Sequence, residues 1–369
     1  VKLIDRYILR NFVQNFFFGL LCFILIFILV DLFENLDKFI DKKLSIFQIA
    51  QFYSFFIPDI LKLITPVGML LASLFTISRF INFSEFTAMR SAGISIYRYL
   101  VPVMTFGLII TLFSIYFNGW IVPKSNRLKY SFERTVLGRH PVANIIPNIY
   151  IQDKSNRIIV IGAYDKIGQK CADVSIQIFN KDTLNLITNR FDIKEMRWDS
   201  SKVDWRIAEA YKRSFLQKNA ENLEILRNIY ISDIPEIKKI NVDPELILKK
   251  DFKPEELPLT EFKEFIENLE TSGQDASKEK VDYYSIISFP FASLVTIIFG
   301  VSVSSNRRKG GAALHFGISI MVSFLYLGFV KISQVFGYNG DLNPIFTAWL
   351  ANIIFLSISV FNFIRTQNT

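Results

Sequence analysis

Cysteine and histidine are nearly absent from this chain, with two of each in 369 residues. Cys22 falls inside an apolar run and Cys171 far away in a polar stretch, so they do not read as a disulfide framework. His140 and His315 stand alone, with no His-Glu-x-x-His or other ligand spacing, and no metal site is expected. A Gly-x-x-x-x-Gly-Lys-Ser/Thr phosphate loop is missing, so the chain does not cradle ATP by that route. The Gly-x-Ser-x-Gly nucleophile elbow is missing too. Gly310 and Gly311 read as a loop breaker rather than a nucleotide site. Together these absences weigh against an intramembrane enzyme and leave no residue to name as catalytic.

Apolar residues are abundant instead. They make up 51% of the chain, with charged residues at 21%, below the quarter or so of an average soluble domain. The 37 Phe are concentrated in the two ends, which points to membrane rather than to a large soluble core. The net charge of +8 reads as cytoplasmic loops, not as a nucleic-acid surface. Mostly apolar runs of about 20 residues or more, enough to cross a core of about 30 Å, fall at 11–30, 49–80, 99–122, 283–303, 312–335 and 344–364. The first follows a start carrying Lys2, Arg6 and Arg10 against Asp5. It is too long for a signal-peptide core and no small-x-small site follows it, so an uncleaved span is expected. Pro58 and Pro66 interrupt the second run and are expected to kink it.

From Pro123 to about Lys280 the chain turns polar. Short alternating stretches at 149–151, 157–161, 174–179, 191–198, 203–211 and 225–231 read as strands of a sandwich or jelly-roll-like domain. Pro235, Pro244, Pro254 and Pro258 mark a linker. An amphipathic helix follows, with Leu259, Phe262, Phe265, Ile266 and Leu269 on one face and Gly273 as its stop. The expected fold is a helical membrane protein with an inserted all-β domain: three spans in 1–122, a β-jelly-roll-like domain with the linker helix in 123–280, and three more spans in 281–369. Basic residues at the N-terminus, between Arg79 and Arg98, at Arg307–Lys309 and at Arg365 fall on one side. The positive-inside rule makes that side cytoplasmic, with both termini inside and the strand-rich domain outside. A lone Cys171 in that domain fits an oxidising compartment.

Between the second and third runs, residues 84–98 are too polar and too short to span. Ser84 is placed to cap a short helix, Glu85 to complement its dipole, Phe86 and Met89 to share one face, and Gly93 to close it in a left-handed turn. One reading is an amphipathic connector lying on the lipid surface. The other is a coupling helix seated in a groove of an ATPase, with Glu85 as the charged contact and Phe86 and Met89 as anchors.

Asp31, Asp59, Lys62 and Lys331 lie at or within membrane boundaries, where such groups face a bundle interior or a wet cavity, or snorkel. Lys38, Lys42 and Lys43 form a basic cluster beside the bilayer, read either as contacts for lipid head-group phosphates or as a solvated face of mixed charge.

The ordered set of these segments resembles the lipopolysaccharide export permeases (the LptF/LptG, or YjgP/YjgQ, family) over essentially the whole chain. Pro58…Thr65-Pro66-Val67-Gly68-Met69-Leu70-Leu71-Ala72 is similar to the family's proline-bearing helix. Ser84-Glu85…Ala88-Met89-Arg90…Ala92-Gly93-Ile94-Ser95 resembles its coupling segment. Asn118-Gly119-Trp120-Ile121-Val122-Pro123…Asn126 resembles the exit from its third span, and Trp198…Trp205-Arg206-Ile207 its paired-tryptophan hairpin.

The resemblance implies the permease subunit of an ATP-driven exporter. Its partners would be a dimeric cytoplasmic ABC ATPase, a second permease of the same family, a periplasmic jelly-roll bridge protein and lipopolysaccharide, with no nucleic acid. No cofactor is expected in this chain, since ATP and Mg would sit in the ATPase. Glu85, Phe86, Met89, Arg90 and Gly93 become the expected ATPase-coupling residues. Lys38, Lys42, Lys43 and Lys62 become the expected substrate contacts, of which Lys38 alone aligns with a phosphate-contacting lysine of the family. Some members carry further lysines in the first span where this chain has Asp31 and Asp37. Two alternatives stay open on the residues themselves: a mechanotransmitting ABC membrane protein, and a membrane-anchored sensor or assembly factor with a periplasmic binding domain.

Overall fold

A computed structural model of the chain describes residues 3–93, 96–137, 144–180, 186–216, 220–238, 240, 242–249, 253–271, 274–305 and 312–367. His140, Gly273 and the basic loop 306–311, with its Gly310 and Gly311, lie outside the described residues, as does the side chain of His315. The chain divides into a helical unit (1–137, 255–262 and 277–369) and a strand-rich unit (138–254 and 263–276).

Among the described residues, the helical unit contains six helices long and apolar enough to cross a membrane: Leu3–Asp41, Ile46–Asn82, Arg98–Thr135, Ser277–Ser304, Gly317–Tyr338 and Pro344–Arg365. The first helix, α1 (Leu3–Asp41), has 39 residues and is therefore about 58 Å long, nearly twice a bilayer core. Ser45 caps α2 (Ile46–Asn82) through a capping box with Gln48. This helix packs against α1 and against the later spans, and Met69, Leu70, Leu71, Ala72 and Leu74 are buried in the middle of the unit. It is one continuous element through both Pro58 and Pro66. Neighbouring hydroxyls help to satisfy its carbonyls: Thr296 Oγ1 donates to Pro66 O at 3.1 Å and Ser125 Oγ to Phe55 O at 3.0 Å. Small residues let the helices approach. A Cβ at Gly19 would stand 3.0 Å from Leu71 Cδ2, and one at Gly68 would stand 3.0 Å from Leu20 Cδ2.

After the short α3 (Glu85–Ser91), α4 (Ile96–Tyr116) leads through a π turn (Phe117–Ile121) into α5 (Val122–Thr135). The polar character that begins at Pro123 is thus not the end of the helix. Pro123 stands in the first turn of α5, directly after the π turn, whose wider winding has the Val122 N–H bond back five residues to Phe117 O. The fourth span is interrupted too. Pro290 sits in a 3₁₀ turn (Phe289–Phe291) between α8 (Ser277–Ser288) and α9 (Ala292–Ser305). Asn352 Nδ2 donates to the Ser288 carbonyl at 2.7 Å, and Asn352 Oδ1 accepts from Tyr326 Oη at 2.8 Å. Two further spans, α10 (Ala312–Tyr338) and α11 (Pro344–Gln367), complete the unit.

The strand-rich unit holds β1 (Ile145–Lys154), β2 (Arg157–Asp165), β3 (Lys170–Phe179), β4 (Ile187–Asp199), β5 (Asp204–Leu216) and β6 (Ala220–Tyr230). All six expected strands are present and all run longer than their alternating cores suggested. They form one antiparallel sheet in chain order, a meander without the crossed connections of a jelly roll among the described residues. One face buries Ile159, Ile161, Cys171, Ile176, Phe191 and Ile193, and the segment after β6 covers it with Ile231, Ile234, Ile237 and Val242. Trp198 and Trp205 face each other across β4 and β5 with ring centroids 5.2 Å apart. Trp205 Nε1 donates to Val242 O at 2.5 Å, tying the covering segment down. Burial pushes the Cys171 thiol up to about 12, which keeps it protonated and unreactive at neutral pH. After β6 come α6 (Pro244–Lys249) and α7 (Leu259–Thr271).

Candidate functional site

The segment between the second and third spans forms a single short helix. Ser84 precedes it at φ 59°, in the left-handed region rather than the extended conformation usual for a capping residue. Its backbone carbonyl accepts the Ala88 N–H at 3.0 Å. Gly93 adopts φ 78°, the left-handed stop expected of it, with nothing near the place a Cβ would occupy. The side chains of Phe86 and Arg90, and residues Ile94 and Ser95, lie outside the described residues. Met89 is half-buried and packs against the core cluster of Ile8, Phe12, Phe80 and Tyr99, so part of its surface is already committed.

Glu85 does not stand alone. Tyr7 Oη, in the second turn of α1, donates to both of its carboxylate oxygens at 3.1 and 3.0 Å. The Tyr7 ring stacks on Phe80 with centroids 5.6 Å apart and planes at 21°, and Phe80 meets Tyr99 edge-on at 6.0 Å. Just past α3, Arg98 pairs with Asp5 at 3.1 Å. A chain of rings from α4 (Tyr99) through α2 (Phe80) to α1 (Tyr7) therefore backs the phenol that holds Glu85, while the Asp5–Arg98 pair ties α1 to α4 separately. A carboxylate has about four acceptor sites, so the one Tyr7 proton leaves Glu85 able to receive a second donor. Sequence reasoning missed Tyr7. Asp5 carried a signal, as a single acid in a basic start, and it proves to have a partner.

The expected substrate lysines separate into two places. Lys38 closes α1, while Lys42 and Lys43 stand in the exposed turn that follows, with Lys43 at φ 51°. Lys62 is half-buried on α2. It lies 16 residues past the helix start at Ile46, about 24 Å along the axis, so it is not a fourth member of that cluster. Lys38 Nζ donates to Asn35 Oδ1 at 2.9 Å, and Asn35 Nδ2 donates to Asp31 O at 3.0 Å. Tyr53 Oη donates to Asp31 Oδ2 at 3.0 Å. Asp31, Asn35 and Lys38 share one face of α1 at helical spacing, and they lead from an aromatic nest of Phe39, Phe52 and Tyr53 out to an ammonium. Asp59 is half-buried on α2. On α10, Lys331 is exposed and lies within electrostatic reach of Asp282.

Comparison with known proteins gives this geometry its setting. Residues 6–365 match the family model described as lipopolysaccharide export system permease LptF/LptG. The lipopolysaccharide export system permease protein LptG of Haemophilus influenzae is 21% identical over 315 residues, covering 84% of either chain. LptG of Escherichia coli K12 is 19% identical over 319 residues, covering 84% of this chain and 83% of its own.

Proposed function

The chain belongs to the family of lipopolysaccharide export system permeases LptF/LptG, and on that premise we propose that it is the membrane subunit of an ATP-driven exporter. It takes lipopolysaccharide, or a related glycolipid, from the inner membrane and hands it to a periplasmic bridge protein. In this reading it works beside a second permease of the family and above a dimeric cytoplasmic ABC ATPase, which binds the ATP and Mg. Both termini are cytoplasmic and the strand-rich unit is periplasmic.

The observation that carries the reading is Glu85. It is a carboxylate at the start of a short helix held between two spans, aimed by a phenol and still able to accept a donor. A basic groove on an ATPase is its natural complement, with Met89, Arg90 and Gly93 shaping the seat and Phe86 as an anchor. Lys38, Lys42 and Lys43 meet head-group phosphates as point charges at the outer end of α1, and Lys62 faces the route through the spans. Moving several acyl chains out of a bilayer costs about 0.8 kcal/mol per CH₂, which is why the energy must come from outside this chain.

The test is a pull-down of the detergent-solubilised protein. The wild type is expected to bring down an ATP-hydrolysing subunit and Glu85→Arg to lose it. No ATPase with either protein would remove the exporter reading and favour a sensor or assembly factor.

A further inference from the structure

Asp5 and Tyr7 are two residues apart, so on α1 they point about 200° away from each other. Tyr7 nevertheless reaches Glu85, the first residue of α3, while Asp5 reaches Arg98, beyond the left-handed stop at Gly93. The opening turns of α1 are therefore straddled by the two ends of the α3 connection. Phe80 supports this from the last turns of α2: it is fully buried, stacked on Tyr7 and edge-on to Tyr99.

We propose that Tyr7 and Asp5 are positioning residues. They clasp α1 to both ends of the α3 connection, so that a partner displacing α3 moves the first span with it. The inference rests on the exporter reading and adds to it the route by which displacement leaves the coupling segment. Tyr7 is 41% exposed and the Asp5–Arg98 pair is partly solvated, so neither bond contributes much to stability. Their consequence is geometric. Tyr7 holds α1 to the first residue of α3 and Asp5 holds it to Arg98 in the first turn of α4, so α1 is gripped on opposite sides by the two helices that bound the connection and resists sliding and turning relative to it, which a single bond would not do.

The experiment uses the full chain with its partner permease and ATPase in proteoliposomes loaded with lipopolysaccharide. Three quantities are followed: ATPase capture, thermal stability, and lipopolysaccharide delivered to a soluble acceptor per ATP hydrolysed. Tyr7→Phe and Asp5→Arg are expected to keep capture and stability while delivery per ATP falls about fivefold. The double exchange Asp5→Arg with Arg98→Asp is expected to restore delivery. Delivery within about twofold of wild type in both single variants, or a loss that the charge exchange does not rescue, would overturn the clasp. Loss of capture by Tyr7→Phe would overturn it as well, since the phenol would then serve only to seat α3. A wild-type chain that captured no ATPase would remove the exporter reading itself, a result distinct from all of these.

Discussion

Glu256 is the most consequential single side chain in the segment that returns to the helical unit. It is fully buried and pairs with Arg134 at 2.8 Å, whose own side chain is 20% exposed. Around it, Tyr130 Oη donates to Glu255 Oε2 at 2.7 Å, Asn126 Nδ2 to Glu255 O at 3.3 Å, and Arg127 Nη2 to Glu256 O at 3.4 Å. Residues 255–261 are thereby fastened along α5. Glu256→Ala leaves a guanidinium with little water in place of its carboxylate. Breaking a buried pair costs about 3–5 kcal/mol, and the residual solvation of Arg134 puts this case near the lower end. For a unit of this size, about 3 kcal/mol corresponds to a fall in Tm of about 6–12 °C. The half-exposed pair of Arg127 and Glu261, 39% and 35% exposed and 3.4 Å apart, is the internal control. Glu261→Ala is expected to cost under about 1 kcal/mol. Replacing both partners, as Arg134→Met with Glu256→Leu, should recover most of the loss because no charge is then stranded. Thermal unfolding in detergent, followed by intrinsic fluorescence, measures all four proteins. If Glu256→Ala shifts Tm no more than Glu261→Ala does, the buried pair is not what fastens the segment.

Three further outcomes are expected. A Cβ at Gly300 would stand 2.6 Å from Ser73 Cβ and 3.3 Å from the Leu70 carbonyl oxygen. Gly300→Leu must therefore force α2 and α9 apart, at about 1–3 kcal/mol or more, read as reduced yield and Tm of detergent-purified protein. Trp205→Phe removes the donor to the buried Val242 carbonyl and should cost about 1–3 kcal/mol, with loss of the near-UV circular dichroism of the Trp198–Trp205 pair; an unchanged urea midpoint would count against that bond. Lys212 is held above its usual 10.5 by the Glu236 hydrogen bond, while in Glu236 burial pushes the carboxyl up but the Lys212 hydrogen bond, a backbone hydrogen bond and the Lys212 charge together hold it below its usual 4.5. The lysine's contribution is therefore complete below pH 10.5 and fades as pH rises through its raised value; the glutamate's is complete above 4.5 and fades as pH falls through its lowered one. Lys212→Met should flatten both limbs of a stability–pH curve recorded on the full chain.

Much of the architecture was legible in the residues alone. A bilayer demands about 20 apolar residues whatever the neighbours are, so all six spans could be read without a partner in view. Alternation in a half-buried sheet has period two, and all six strands followed from it, though their ends did not, because the outward positions extend beyond the apolar core of each strand. Gly93 was legible for a local reason too, since only its own backbone decides a left-handed stop. Composition also marked a change at Pro123, and there a local signal misled. The π turn and the tolerance of proline at a helix start let α5 continue to Thr135.

What remained hidden depends on residues far apart in the chain. Tyr7 and Glu85 are 78 positions apart, Arg134 and Glu256 122, and Tyr53 and Asp31 lie on different helices. Nothing in the local pattern distinguishes a glutamate that ends fully buried from one left in water. The buried and the half-exposed glutamate of the return segment, Glu256 and Glu261, are five positions apart and chemically identical. Hydrophobic length and period are properties of a segment and survive in the sequence. The partner of a charge is a property of packing, decided only when the helices close around it.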